Sequence, residues 1–366
     1  MEIFSQMPNS TDSKGEIIAV VIGQSEDIVS FETYEVFTTI TQCAVKPVLF
    51  LVGIPSNVLN CVVFWRQGVR DPMNLCLFCL SLADLLHMTF LFVQSVIGPF
   101  VEFQDKVLGK EIYHKTSAYT KWFSVEMYSM SGCISLVIAV ERCVCVMMPL
   151  RAVSIISTRT TGMVLAVIYV ITQLGFIVNI FNYDVVAIKD NHTDQVIGWT
   201  SLPSKLWQEN LVLFTTIQRL ILLTILPFGI FVGLSVATAV TVVRLKAALL
   251  WRESTSSSSS QSSGQQRALT KMLVFVSCLH IVTAAPQLVF IITVSLVSDF
   301  NFGGRYENTF EVVAAAKGVS AMVNSSFTFV IYYRQSSRYR RALRHLCCWT
   351  KPGDEESTKC NHSTTF

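Results

Sequence analysis

Glu141-Arg142-Cys143 closes a long apolar run and stands six residues before Pro149-Leu150. A charge at a bilayer centre costs roughly 2.5–3.5 kcal/mol on insertion scales, so such a pair belongs at an edge or in an internal polar network. Two readings follow. Arg142 marks the end of a membrane span, or the pair is a signalling switch. Asn57, Asp84, Ser131, Asn324 and Ser325 are the other polar groups of interest inside apolar runs. Where water is absent, each needs a partner. They read as one central hydrated network able to hold a small cation; the plainer alternative is scattered hydrogen bonds between helices.

The elements that must position these residues are membrane spans. The 366-residue chain is 51% hydrophobic and 14% charged, with a mean hydropathy of +0.50, which excludes an ordinary soluble domain. Apolar runs near the ~20 residues needed to cross a bilayer recur along it. They predict spans near 45–66, 73–98, 119–147, 161–182, 212–243, 269–297 and 311–333, the last diluted by Glu311 and Lys317. The fold class is therefore an all-α membrane protein, a seven-helix bundle. Basic residues such as Arg66, Arg151, Arg244 and Arg338 follow the odd-numbered spans, while Glu32, Glu35, Glu102 and Asp184 fall on the opposite side. The positive-inside rule then places the N-terminus outside and the C-terminus in the cytoplasm. Nothing in this pattern points to nucleic acid.

Three regions result: an extracellular segment 1–43, a membrane domain 44–348 and a cytoplasmic tail 349–366. The first lacks the basic and apolar regions of a cleaved signal peptide. Asn9 and Asn191 begin glycosylation sequons on the expected outside. The eleven cysteines fall almost entirely in spans or on the basic side, so a disulfide between outer loops is not expected. Cys76 and Cys79 read as packing residues. Glu253 to Gln266 is rich in Ser, Gln and Gly and is expected to be disordered and open to kinases. Arg334 to Leu346 has the spacing of an amphipathic surface helix, and Cys347-Cys348 after it is a palmitoylation candidate.

The order of these features resembles the rhodopsin-like (class A) G-protein-coupled receptors. Gly53-Ile54-Pro55-Ser56-Asn57 is similar to their first-helix GxxxN, and Asn74 with Leu80-Ser81-Leu82-Ala83-Asp84-Leu85-Leu86 to their second helix. Glu141-Arg142-Cys143, Val146 and Pro149-Leu150 resemble DRYxxVxxPL. Leu226-Pro227-Phe228, Thr270 to Val274 with Pro286, and Asn324-Ser325-Ser326-Phe327 with Ile331-Tyr332 resemble the fifth, sixth and seventh helices. Tyr339-Arg340 matches the helix that follows. The resemblance covers about residues 44–348.

It implies a receptor, not an enzyme, in the plasma membrane, with a heterotrimeric G protein as partner and receptor kinases and arrestin as further ones. Asp84, Ser131, Asn324 and Ser325 would hold an allosteric sodium ion. Arg142 would pair with Glu141 at rest and face the G protein when the sixth helix swings outward. Pro227 and Pro286 would be hinges, and Tyr332 would turn inward on activation. The chain also departs from the family. Ser117 stands at the third-helix cysteine position, Ala284 at the sixth-helix Trp, and Thr328 to Tyr332 lacks the Asn and Pro of NPxxY.

Ser124 occupies the position of the amine receptors' Asp, and Met322 that of the opsins' Lys. A neutral pocket floor with Ser124 and Met322 and an aromatic rim (Trp122, Phe123, Tyr128, Trp199, Trp207) would suit a peptide or small odorant-like molecule, as in invertebrate peptide and chemosensory receptors. The aromatic residues fit an interface belt equally well. A seven-helix transporter or channel is the alternative, but no symmetry between halves supports it. His87 and His280 lie in spans without a partner at catalytic spacing and read as packed, hydrogen-bonded side chains.

Overall fold

The computed structural model describes residues 27–102, 104–190, 195–254, 261–301 and 303–347. Its long apolar runs are helical, since in lipid a helix satisfies each backbone N–H and C=O within its own segment. In chain order these are α1 (Phe31–Gln67), α2 (Pro72–Glu102), α3 (Lys106–Met147), α4 (Thr158–Phe181) and α5 (Leu211–Ala248). They are followed by α6 (Gln261–Leu296), α7 (Glu307–Gln335) and the short α8 (Ser337–Cys347). Among the described residues, α1 to α6 are long and apolar enough to cross a membrane. The 29-residue α7 is long enough but falls short in hydropathy, where Glu311 and Lys317 lie.

Side-chain caps fix several starts. Ser30 caps α1, Asp71 accepts from the amides of Met73 and Asn74 at the start of α2, and Asp105 accepts from Val107 and Leu108 at the start of α3. Each replaces a partner that the first turn of a helix lacks.

Two helices outrun their expected spans. α1 begins at Phe31 rather than near 45, and α3 at Lys106 rather than near 119. At 1.5 Å per residue α3 is about 63 Å long, against about 30 Å of hydrocarbon. Its first part is polar and leaves no trace in the apolar pattern, because hydropathy sees the membrane and not the helix. A Glu111–Lys115 pair at 2.5 Å, one turn apart, braces that part. Similarly, α6 already begins at Gln261, inside the stretch expected to be disordered. Extending an existing helix costs far less than nucleating one. The apolar pattern also holds no sign of an antiparallel hairpin, β1 (Tyr183–Lys189) with β2 (Val196–Pro203).

The prolines stand in different local settings. Pro55 and Pro286 lie inside helices. Pro227 comes two residues after the end of a π-helical stretch, Thr216–Ile225.

The described chain divides into two compact units, Phe50–Val282 with Val323–Phe366 and Met1–Leu49 with Thr283–Met322. In the first, Val63, Phe64, Leu77, Leu80, Ile134, Ile138, Leu165, Leu273, Tyr332 and Tyr339 form the apolar core. Gly53 marks a close helix crossing, since a Cβ there would stand 2.5 Å from Ser326 Oγ and 2.6 Å from Met88 Cε. The sidedness of α8 follows its sequence: Tyr339, Ala342, Leu343 and Leu346 face the core, while Arg338, Arg341 and Arg344 are exposed. In the second unit, Phe290, Phe300 and Phe310 pack as a ring cluster with centroids 5.3–6.2 Å apart.

Candidate functional site

Asp84 is fully buried on α2, and two hydroxyls converge on one of its oxygens. Ser131 Oγ of α3 donates to Oδ1 at 2.7 Å, and Ser325 Oγ of α7 donates to the same atom at 2.9 Å. Asp84 Oδ2 is buried with no hydrogen-bond partner. The carbonyl of Ser325 accepts from Asn57 Nδ2 at 2.7 Å, and Asn57 also donates to Gly53 O at 3.0 Å. Thus Asn57, Asp84, Ser131 and Ser325 form one network on four helices, and Asn324 lies beside it at 3% exposure.

The network runs further than the sequence suggested. Asn60 Nδ2 donates to Asn57 Oδ1 at 3.4 Å, and Tyr339 OH of α8 donates to Asn60 Oδ1 at 2.6 Å. Burial pushes the Tyr339 phenol well above its usual pKa, so it stays a donor. The available signal was Asn60 itself, one turn after Asn57 in an apolar run. Tyr332 is fully buried beside this end, edge-on to Phe64 at 5.1 Å and 5.8 Å from the Tyr339 ring. Its hydroxyl has no hydrogen-bond partner.

The expected Glu141–Arg142 pairing is not what the structure shows. Glu141 Oε1 instead accepts from Thr161 Oγ1 of α4 at 2.6 Å. Glu141 Oε2 and Arg142 Nε are buried without hydrogen-bond partners. Adjacent residues on a helix point about 100° apart, so Glu141 turns to α4 while Arg142 turns elsewhere. Arg142 borders a cavity of about 1010 Å³ with Asn74, Cys145, Met272, Arg338 and Arg341. This cavity lies at the basic end of the helices.

The residues expected to line a ligand pocket are buried and largely engaged with protein. Ser124 and His87 bind one another: the carbonyl and hydroxyl of Ser124 lie 2.9 and 3.0 Å from His87 Nδ1, and the hydroxyl donates to His87 O at 3.3 Å. Tyr128 lies between two imidazoles, 5.4 Å from His87 and stacked at 6.1 Å on His280. Both histidines are therefore packed core groups, as read from the sequence. Trp122 is 9% exposed and Met322 fully buried. Glu126, one helical turn after Trp122, is a buried carboxyl that sequence reasoning passed over; it is 3% exposed and Oε1 lacks a hydrogen-bond partner.

Pro227 is the second residue of α5's regular helix after the π stretch. Beside Pro286, the carbonyl of Thr283 accepts from Ser320 Oγ at 2.9 Å. Cys347 is the last residue of α8, whereas Asn9, Asn191 and Cys348 lie outside the described residues.

A family model described as 7 transmembrane receptor (rhodopsin family) matches residues 56–332. That span runs from the residue before Asn57 to the buried Tyr332. No curated protein matches the chain.

Proposed function

From the chain's membership of the rhodopsin family of seven-transmembrane receptors, we propose that it binds an extracellular peptide or small chemosensory ligand and activates a heterotrimeric G protein. Membership makes it a multi-pass, non-enzymatic signalling receptor. The observation that carries the coupling step is Arg142, a buried cation at the wall of the cavity of about 1010 Å³. An unmet guanidinium N–H there offers donors to backbone carbonyls of an inserted partner segment. Cys145, Leu269 and Met272 give the same wall apolar surface.

Ligand binding moves such a receptor only by its differential affinity for two states. Pro227 and Pro286 supply places where α5 and α6 can bend. Thr161 already holds Glu141, so opening the cavity need not break a Glu141–Arg142 ion pair. Asp84 fits a sodium ion: its Oδ2 is buried and unpartnered, and the neighbouring groups are hard oxygen donors. Asp84, Ser131 and Ser325, with Asn324 alongside, would hold it, and the ion would supply the positive charge that a buried carboxylate lacks.

The one-sided basic residues support an extracellular N-terminus in the plasma membrane. Asn9 and Asn191 would carry glycans, and Cys347 and Cys348 would be palmitoylated beside the basic face of α8. Receptor kinases and arrestin would act on the cytoplasmic side. A library of peptides and small odorants, read through promiscuous G proteins, tests this function. A ligand whose response needs Arg142 supports it; substrate flux in vesicles without any nucleotide exchange would favour the transporter alternative.

A further inference from the structure

The β1–β2 hairpin has no covalent tether. The chain contains no cysteine between Leu80 and Gly132, nor between Val146 and Ser277. Its base is closed by Ser204, whose amide donates to Asn182 O at 3.0 Å. The side of the hairpin that is covered can be read from its alternation. On β1, Val185 and Ala187 are half-buried while Asp184, Val186 and Ile188 are exposed. Their antiparallel partners are Ser201 and Trp199.

That face meets two consecutive residues of α3. His114 Nδ1 lies 3.2 Å from Ser201 Oγ. Lys115 Nζ sits 4.7 Å above the Trp199 ring while Glu111 holds the same ammonium at 2.5 Å. A carboxylate, an ammonium and an indole face therefore form one stack across the two elements. Trp199 Nε1 has no hydrogen-bond partner, so the indole is held by its face and not by its N–H.

We propose that Lys115 is a positioning residue that clamps this hairpin onto the projecting part of α3, as a noncovalent strap. The functional meaning rests on the reading above, in which ligand arrives from this end. Glu111 aims the ammonium, Trp199 receives it, and His114–Ser201 fixes the register one residue away. The strap can be loosened without breaking a bond, because Lys115 is half exposed and its interactions are individually weak.

Amide hydrogen exchange on the full-length receptor in lipid nanodiscs tests the clamp with no ligand or G protein present. Lys115→Ala and Trp199→Leu should each speed exchange across 183–203 by about 5- to 30-fold, the range expected for a locally opening element deprived of such an interaction. Lys115→Arg, which keeps a cation able to stack, should stay near wild type. Unchanged exchange in both disruptive variants would overturn the proposal. So would equal acceleration along α1 and α2, which would assign Lys115 to global folding. Failure of the receptor reading shows separately, as absent nucleotide exchange in the unmodified protein.

Discussion

Around Asp84 the polar side chains are buried and answer one another across four helices and α8; where α3 meets the hairpin, the group doing the holding, Lys115, is 51% exposed. The difference follows from solvent. In a dry interior an unmet polar group costs its full desolvation, so partners must be specified closely. At a wet surface the same groups can exchange a protein partner for water at small cost. The core is thus built to hold one arrangement or switch between few, whereas the strap is built to loosen by degrees.

This contrast is most exposed to failure at the inner end. Arg142→Ala should lower stimulated nucleotide exchange by about tenfold or more while leaving surface expression intact, because the guanidinium's binding energy is available to the partner only in the open state. Retained coupling would detach the buried half from signalling.

Tyr339→Phe comes next. It deletes the donor to Asn60 Oδ1 and leaves that buried acceptor unmet, which costs about 1–3 kcal/mol. A melting curve of the purified receptor would show the loss. In a double-mutant cycle with Asn60→Ala the two effects should fall short of additive; full additivity would mean that α8 and α1 are not coupled through this bond.

A smaller effect belongs to sodium. Replacing an inert organic cation by sodium at constant ionic strength should raise the wild-type melting point, by about 1.4 kcal/mol of stability at tenfold the dissociation constant. Asp84→Asn should remove that response. A wild type indifferent to sodium would show that Oδ2 is satisfied in another way.

Legibility in the sequence divides along the same line. Asp84, Ser131, Asn57 and Ser325 stand out because a polar residue in an apolar run must be answered, and the structure brings them together. Asn60 and Tyr339 are harder to pair, being 279 residues apart, with only one of them inside a span. Glu141's choice of Thr161 over Arg142 depends on which way a side chain turns, which spacing alone leaves open. The start of α3 and the hairpin escape notice for another reason. Hydropathy reports lipid exposure, and neither element needs it. Lys115 is unremarkable in type and Trp199 reads only as a rim or belt aromatic; the fold alone makes them neighbours.

Between buried core and exposed strap stands a third case, where the N-terminal segment meets α7. Asp27 Oδ2 accepts from the amides of Asn308 at 2.7 Å and Thr309 at 3.3 Å, and Thr309 Oγ1 donates to Oδ1. A residue 281 positions away thus caps the first turn of α7. Burial opposes the charge, but hydrogen bonds from the Thr309 side chain and from the backbone of Thr309, Val29 and Asn308 outweigh it and lower the carboxyl pKa. A depressed folded-state pKa gives stability that is complete above the unfolded value of about 3.9 and is lost as pH falls through the lower folded value. Stability from this cap should therefore stay flat from pH 7 to 5 and decline only below about pH 4. Asp27→Ala should cost about 1 kcal/mol at pH 7, seen as faster exchange at 307–311 after correction for intrinsic rates. Asp27→Asn, which keeps an acceptor without the charge, should lose less at pH 7 and show no acid step of its own. If wild type and Asp27→Asn fray in parallel below pH 4, other carboxylates set the acid limit, and the α7 cap behaves like the exposed strap and not like the buried core.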